Sequence, residues 1–292
     1  MKFTQPNADI FVPDGTDPAA ALARTTHLCV LAHQDDIEIN AYPAVAECVG
    51  RADRYLTGVI VTDGAGSSRS GPYAHYTDEE MKAVRAEEQR TAARLGGYNL
   101  QIQLAHPSSA VKAPNNEAVH ADLRTIFEAC HPQVVYLHQP LDKHDTHVAS
   151  FLRALETIRS LPREARPLRV LGVEAWRSLE WLLAEDLVAL DASAHDALKR
   201  PLIEVFASQV VGGKRYDDAA LGRRRANATF LDAHSTDEFS ELCWALDLTP
   251  LAHDDTLRVE DFALTKIDRL RAEVANRLTR LSLGKAQTHV AQ

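Results

Sequence analysis

Cysteine is scarce and scattered: Cys29, Cys48, Cys130 and Cys243 form no CxxC pair. A disulfide framework is therefore not expected, and the chain reads as belonging to a reducing, cytoplasmic compartment with buried free thiols. Met1 to Asp9 carries no apolar core of signal-peptide length. No stretch approaches the length of a membrane span. Basic excess is missing too: 32 Lys and Arg face 41 Asp and Glu, for a net charge of −9. That removes any bulk attraction to nucleic acid or anionic membranes. The glycine-rich segment at 62–72 lacks GxxxxGK[ST], and no GxGxxG follows the first apolar run, which argues against P-loop and dinucleotide-binding enzymes. There is no internal repeat and no low-complexity tract.

The 292 residues that remain to be explained are 45% hydrophobic and 25% charged, ordinary values for a globular protein. Apolar runs alternate with longer periodic segments. Strands are expected at 27–32, 55–62, 100–104, 133–138 and 168–174. Helices are expected at 38–50, 77–96, 116–131, 146–161 and 194–208. Thr77-Asp78-Glu79-Glu80 is an N-terminal cap signal and Gly96-Gly97 a stop. Within that helix, Met81, Val84, Ala92 and Leu95 form a plausible apolar stripe. The alternation predicts parallel βαβ units, an α/β sheet flanked by helices. Residues 1–230 are read as one domain and 231–292 as a helical extension packed on it. Leu264, Ile267, Leu270, Val274, Leu278 and Leu281 recur there at helical spacing, facing the main domain or another subunit of a homo-oligomer.

Two apolar runs end in metal-ligand chemistry. Leu28-Cys-Val-Leu-Ala is followed by His33-Gln34-Asp35-Asp36, and Val134-Val-Tyr-Leu by His138-Gln-Pro-Leu-Asp142-Lys-His144-Asp145-Thr146-His147. Ligands of open α/β sheets sit outside the carboxyl ends of the strands. His33 and Asp36 can face one point there, with His147 as a third ligand suited to zinc. Asp35 can stand beside the metal without binding it and carry protons. His144, on the same helix face as His147, can aim at a substrate carbonyl as a charged donor. Two loops could add contacts. Asp63 and Arg69, in the segment 62–72, touch substrate or belong to a solvated connector. The basic stretch with Lys214, Arg215, Arg223, Arg224 and Arg225 is a solvated face, an anion-recognition patch or a subunit interface.

Ala-His33-Gln34-Asp35-Asp36 resembles the AHPDD motif of the PIG-L (LmbE-like) deacetylases, and His144-Asp145-Thr146-His147 their HPDH motif. Arg85-Ala-Glu-Glu88 with Ala92-Ala-Arg-Leu-Gly96 is similar to the family's RxxE…AAxxLG helix. Asp191 to Gln209, with Lys199 and Ser208-Gln209, resembles its D…KxxAL…SQ segment. Roughly residues 25 to 230 are covered. The resemblance implies a Rossmann-like fold and zinc-dependent hydrolysis of the N-acetyl group of a small acetamido-sugar substrate of the N-acetylglucosamine type. It implies zinc ligands His33, Asp36 and His147, a general base Asp35, a carbonyl-polarising His144, and substrate contact through Arg85. Gln34 stands where the family has proline. Thr146 stands where it has aspartate, so a partner for His144 would have to be Asp142 or Asp145. A non-catalytic carbohydrate-binding protein on the same fold is the competing expectation.

Overall fold

All five expected strands form, with ends within two residues of expectation. In the computed structural model of the protein, residues 1–211 and 213–282 are described. The strands are β1 (Asp9–Phe11), β2 (His27–Leu31), β3 (Leu56–Thr62), β4 (Leu100–His106), β5 (Val134–Leu137), β6 (Arg169–Val173), β7 (Val188–Asp191) and β8 (Leu242–Asp247). They build one sheet in the order β1-β4-β3-β2-β5-β6-β8-β7. β4, β3, β2, β5 and β6 run parallel, whereas β1 pairs antiparallel to β4, and β8 antiparallel to both β6 and β7. Every residue of β2 and β3 is buried. That is why these segments are mostly apolar instead of alternating.

The order of the parallel strands fixes where a ligand can sit. From β2 the chain moves outward through β3 to β4, then returns to the other side of β2 for β5 and β6. The carboxyl ends of β2 and β5 therefore flank the point where the strand order reverses. At such a point the connections leave in opposite directions and open a crevice. His33 to Asp36 follow β2 there, and His138 to His147 follow β5.

The helix expected at 194–208 is split into Asp196–Glu204 and Ala207–Val210, and other features differ from expectation too. The helix expected at 38–50 is broken into Asp36–Asn40 and Tyr42–Cys48, with Pro43 in the first turn of the second piece, where its missing N–H costs no hydrogen bond. The helix Asp78–Leu95 has the expected Thr77–Glu80 capping box, but its inner face is Met81, Arg85, Glu88, Gln89 and Ala92, and Leu95 is exposed. Beyond the expected boundary at 230, Leu242–Asp247 is a strand of the main sheet, seated between β6 and β7, with Leu246 and Leu242 in the core. Only the helix Val259–Ser282 has the character of an extension. Val259 and Phe262 pack on the core, while Leu264, Ile267, Val274, Leu278 and Leu281 are exposed. Residues 283–292 of the expected extension lie outside the described residues. No helix among the described residues is long and apolar enough to cross a membrane.

Candidate metal and catalytic site

Three donor atoms from the two strand ends meet in the crevice. His33 Nδ1 lies 3.1 Å from His147 Nε2. Asp36 Oδ2 lies 3.3 Å from His33 Nδ1 and 3.5 Å from His147 Nε2. Donors bonded at about 2.0–2.1 Å to one tetrahedral ion stand roughly 3.3–3.5 Å apart, so this spacing suits a shared cation. Two imidazole nitrogens facing each other at 3.1 Å also require a proton or a cation between them. The His33 side chain is 24% exposed, which leaves a solvent side open, whereas His147 and Asp36 are buried.

The residues behind the donors fix their aim. His147 Nδ1 is bonded to Asp142 Oδ2 at 2.8 Å, the carboxylate–histidine arrangement that sets the tautomer of a ligating imidazole. Asp142 is itself held by the backbone N–H groups of Lys143, 2.6 Å, and Arg177, 2.9 Å. Asp36 Oδ2 accepts from the His33 backbone N–H at 2.7 Å, and Oδ1 from Asn40 at 3.1 Å. Burial opposes ionisation of Asp36, but the neighbouring His147 and His138 outweigh it and hold the carboxyl well below the usual range. The sequence reading gives His138 no role. Its ring is fully buried and stacks on His147, with centroids 3.8 Å apart and planes 11° apart. Its Nε2 faces the Ala32 N–H at 3.0 Å and Asp36 at 3.2 Å. A signal for it exists, because His138 ends the β5 run as His33 follows the β2 run.

Asp35 points elsewhere than Asp36. Its backbone is left-handed, φ 88°, a conformation that costs a non-glycine residue on the order of 1–3 kcal/mol. Contacts from the helix Asp78–Leu95 hold it there. Gln89 Oε1 accepts from the Asp35 N–H at 3.2 Å. Arg85 Nη2 reaches Asp35 Oδ2 at 3.1 Å and also donates to the Gln34 carbonyl. Burial pushes the Asp35 carboxyl up to about 6, against the pull of Arg85. Arg85, expected as a substrate contact, is 2% exposed and holds Asp35 through that 3.1 Å bond. Gly64, with φ +76°, passes so close that a Cβ there would lie 2.8 Å from Gln34 Oε1.

The other expected residues sort clearly. His144 caps the helix Asp145–Ser160 beside the donors, its ring 4.4 Å from that of His147 and 6.0 Å from Trp176. Neither suggested aspartate partners it: Asp142 is committed to His147, Asp145 is exposed, and His144 Nδ1 has no partner among the described residues. Burial, then His147 and His33, lower the His144 pKa to about 4. That shift favours the neutral ring over the charged donor expected from the sequence. Asp63 ties down its own loop through the Ala65 N–H, 3.1 Å, and Lys82, 3.3 Å. Arg69 is bound to the Ala65 carbonyl at 2.8 Å and to Asp78.

The basic stretch is a helix, Tyr216–Thr229, and a helix turns neighbours about 100° apart. Arg223 donates to the Ala175 carbonyl. Arg224 is buried, donating to the carbonyls of Glu38, 2.6 Å, and Ile39, 3.0 Å. Arg225 points out, 65% exposed, toward Glu241. The three consecutive arginines therefore do not make one patch.

Comparison with known proteins agrees with this geometry. Residues 28–158 match the family described as PIG-L, GlcNAc-PI de-N-acetylase. No curated protein sequence matches the chain. Among solved structures, a conserved protein from Thermus thermophilus aligns with a TM-score of 0.58 at 19% identity, over 80% of this chain and 99% of its own. The 4-carboxy-2-hydroxymuconate hydratase from Pseudomonas putida aligns at 0.57 and 18%, over 77% and 96%. The N,N'-diacetylchitobiose deacetylase from Pyrococcus horikoshii aligns at 0.56 and 18%, over 75% and 83%. At such identities the likeness establishes the fold alone, and the fold serves a hydratase as well as a deacetylase. The stretch that matches this family model, residues 28–158, holds both motifs and all three converging donors.

Proposed function

We propose that the protein hydrolyses the N-acetyl group of an N-acetylglucosamine-type sugar or sugar conjugate, releasing acetate and a free amine. Zinc is the metal, held by His33, Asp36 and His147. The observation that carries this reading is the meeting of His33 Nδ1, Asp36 Oδ2 and His147 Nε2 within 3.5 Å of one another, with a separate buried carboxylate, Asp35, next in the chain.

When bound, such a cation supplies Lewis acidity and lowers the pKa of water in the site. The chain's own groups do the rest. Asp35 takes a proton from the attacking water onto a carboxylate oxygen and returns it to the leaving nitrogen. Arg85 and Gln89 keep that carboxylate turned away from the ligand point. His144 donates a neutral N–H to the acetyl oxygen as negative charge gathers there. Asp142 keeps the proton of His147 on Nδ1, so that Nε2 presents a lone pair.

The test is release of acetate, with an equal amount of primary amine, from N-acetylglucosamine and N,N'-diacetylchitobiose by zinc-loaded protein. Chelation should stop turnover and zinc restore it. No acetate from any acetamido sugar with metal bound would leave the carbohydrate-binding alternative. Within the same assay, His144→Ala should lower kcat by roughly 10²–10³-fold at normal zinc content. With a neutral His144 ring as the donor, the alkaline limb of the rate profile should persist in this variant. Loss of that limb would reinstate a protonated donor.

A further inference from the structure

Beside the crevice lies a cleft of about 410 Å³ lined by Lys143, Trp176, Arg177, Ser178, Trp181 and Arg223. Trp176 is its link to the chemistry. It is 40% exposed, its ring lies 6.0 Å from that of His144, and Lys214 Nζ sits 5.3 Å from its centre. Lys143, Arg177 and Arg223 thus line the same cleft as Trp176, and Lys214 lies over its ring. In a chain of net charge −9, most cations have acidic neighbours. Among the described residues none of Lys143, Arg177, Lys214 and Arg223 forms an ion pair, Arg223 having only the buried Glu174 near enough to act on it, although ion pairs are abundant elsewhere, as at Arg90–Asp9, Arg94–Glu87 and Arg200–Asp217.

The placement of the cleft is also fixed relative to the reacting atoms. Asp142, which orients His147, accepts the backbone N–H groups of both Lys143 and Arg177 on its other oxygen. One carboxylate therefore sets the metal ligand and the two cation-bearing backbones together. Arg223 is anchored alongside by its bond to the Ala175 carbonyl. Guanidinium forks and an ammonium facing one cleft suit a carboxylate or phosphate oxygen pair.

We infer that this cleft is a substrate subsite for an anionic group, so that the preferred substrate is an acetamido sugar bearing a carboxylate or phosphate beyond the N-acetyl end. The inference rests on the deacetylase reading above. It moves anion recognition from Arg225 to Lys143, Arg177, Lys214 and Arg223.

The test compares N-acetylglucosamine 6-phosphate, N-acetylmuramic acid and neutral N-acetylglucosamine as substrates of the zinc-loaded full chain, for the wild type and for the double variant Lys143→Gln/Arg177→Gln. Both replaced side chains are exposed, so folding is not at stake. The wild type should favour at least one anionic sugar in kcat/KM by roughly tenfold or more, with an advantage that shrinks as salt rises. The phosphate and carboxylate arms show which anion fits. The double variant should raise KM for that anionic sugar at least tenfold more than for the neutral one, with kcat changing little. Acetate release with no anionic preference, or equal KM changes for both sugars, overturns the subsite and leaves the deacetylase reading standing. No acetate release, together with calorimetric binding of N-acetylglucosamine 6-phosphate or N-acetylmuramic acid that the double variant loses, overturns the deacetylase reading and upholds the anion site.

Discussion

Asp35→Asn should keep its metal and lose turnover by roughly 10²–10⁴-fold, the usual cost of removing a general base. The amide is nearly isosteric and can still accept from Arg85, so the left-handed turn and its hydrogen bonds persist. What disappears is the capacity to take a proton. Metal content should be unaffected, because the donors that converge belong to His33, Asp36 and His147. KM should move little, since Asp35 acts on the attacking water and not on binding. The wild-type rate should also fall on the acid side. Burial raises the Asp35 carboxyl to about 6, so lowering the pH through that value protonates the base. A cation bound nearby stabilises the carboxylate and moves the limb lower, never higher. An acid limb above about pH 7, or loss of zinc along with activity in Asp35→Asn, would reverse the roles of Asp35 and Asp36.

The parts of the fold legible in the sequence are those with one dominant physical signature. β2, β3 and β5 are largely buried on both faces, so their apolar runs, and the polar residues that end them, stand out. The sheet edges carry no such signature. β1 has three half-buried residues. β7 and β8 pair antiparallel with each other far from the βαβ units that set the expected rhythm. Leu242–Asp247 is apolar enough to be a strand, yet it follows a polar stretch and precedes a helix, which makes the whole tail look helical. At the site, the candidate ligand residues are legible because their types are few and sit at strand ends. The direction of each side chain is not. His144 carries no aspartate partner because Asp142, five residues before His147, bonds that ring instead. Arg85 looks like a substrate contact from its place in the helix motif, but it lies on the inner face with Glu88 and Gln89 and turns to Asp35. A helix whose buried face is polar defeats a search for apolar stripes.

The largest loss is expected on removal of a ligand. His147→Ala takes one of three converging donors and should abolish measurable zinc binding and activity together. Asp142→Asn is the graded companion. It leaves all three donors in place but no longer fixes the tautomer of His147, and such changes typically weaken metal affinity by about 10–100-fold. The order of the two effects matters more than either alone, because a merely structural role for Asp142 would lower thermal stability without moving zinc affinity. The pH dependence of binding follows from the same contacts. In the metal-free protein, burial opposes protonation of His147, but Asp36 and Asp142 outweigh it and the pKa is raised. Zinc needs the neutral ring, so binding must displace that proton. Affinity should therefore weaken as pH falls through the raised pKa of His147, with proton release measurable by calorimetry in buffers of different ionisation enthalpy. Full zinc occupancy and activity in His147→Ala would show that the convergence of His33, Asp36 and His147 is a hydrogen-bonded cluster and not a metal site.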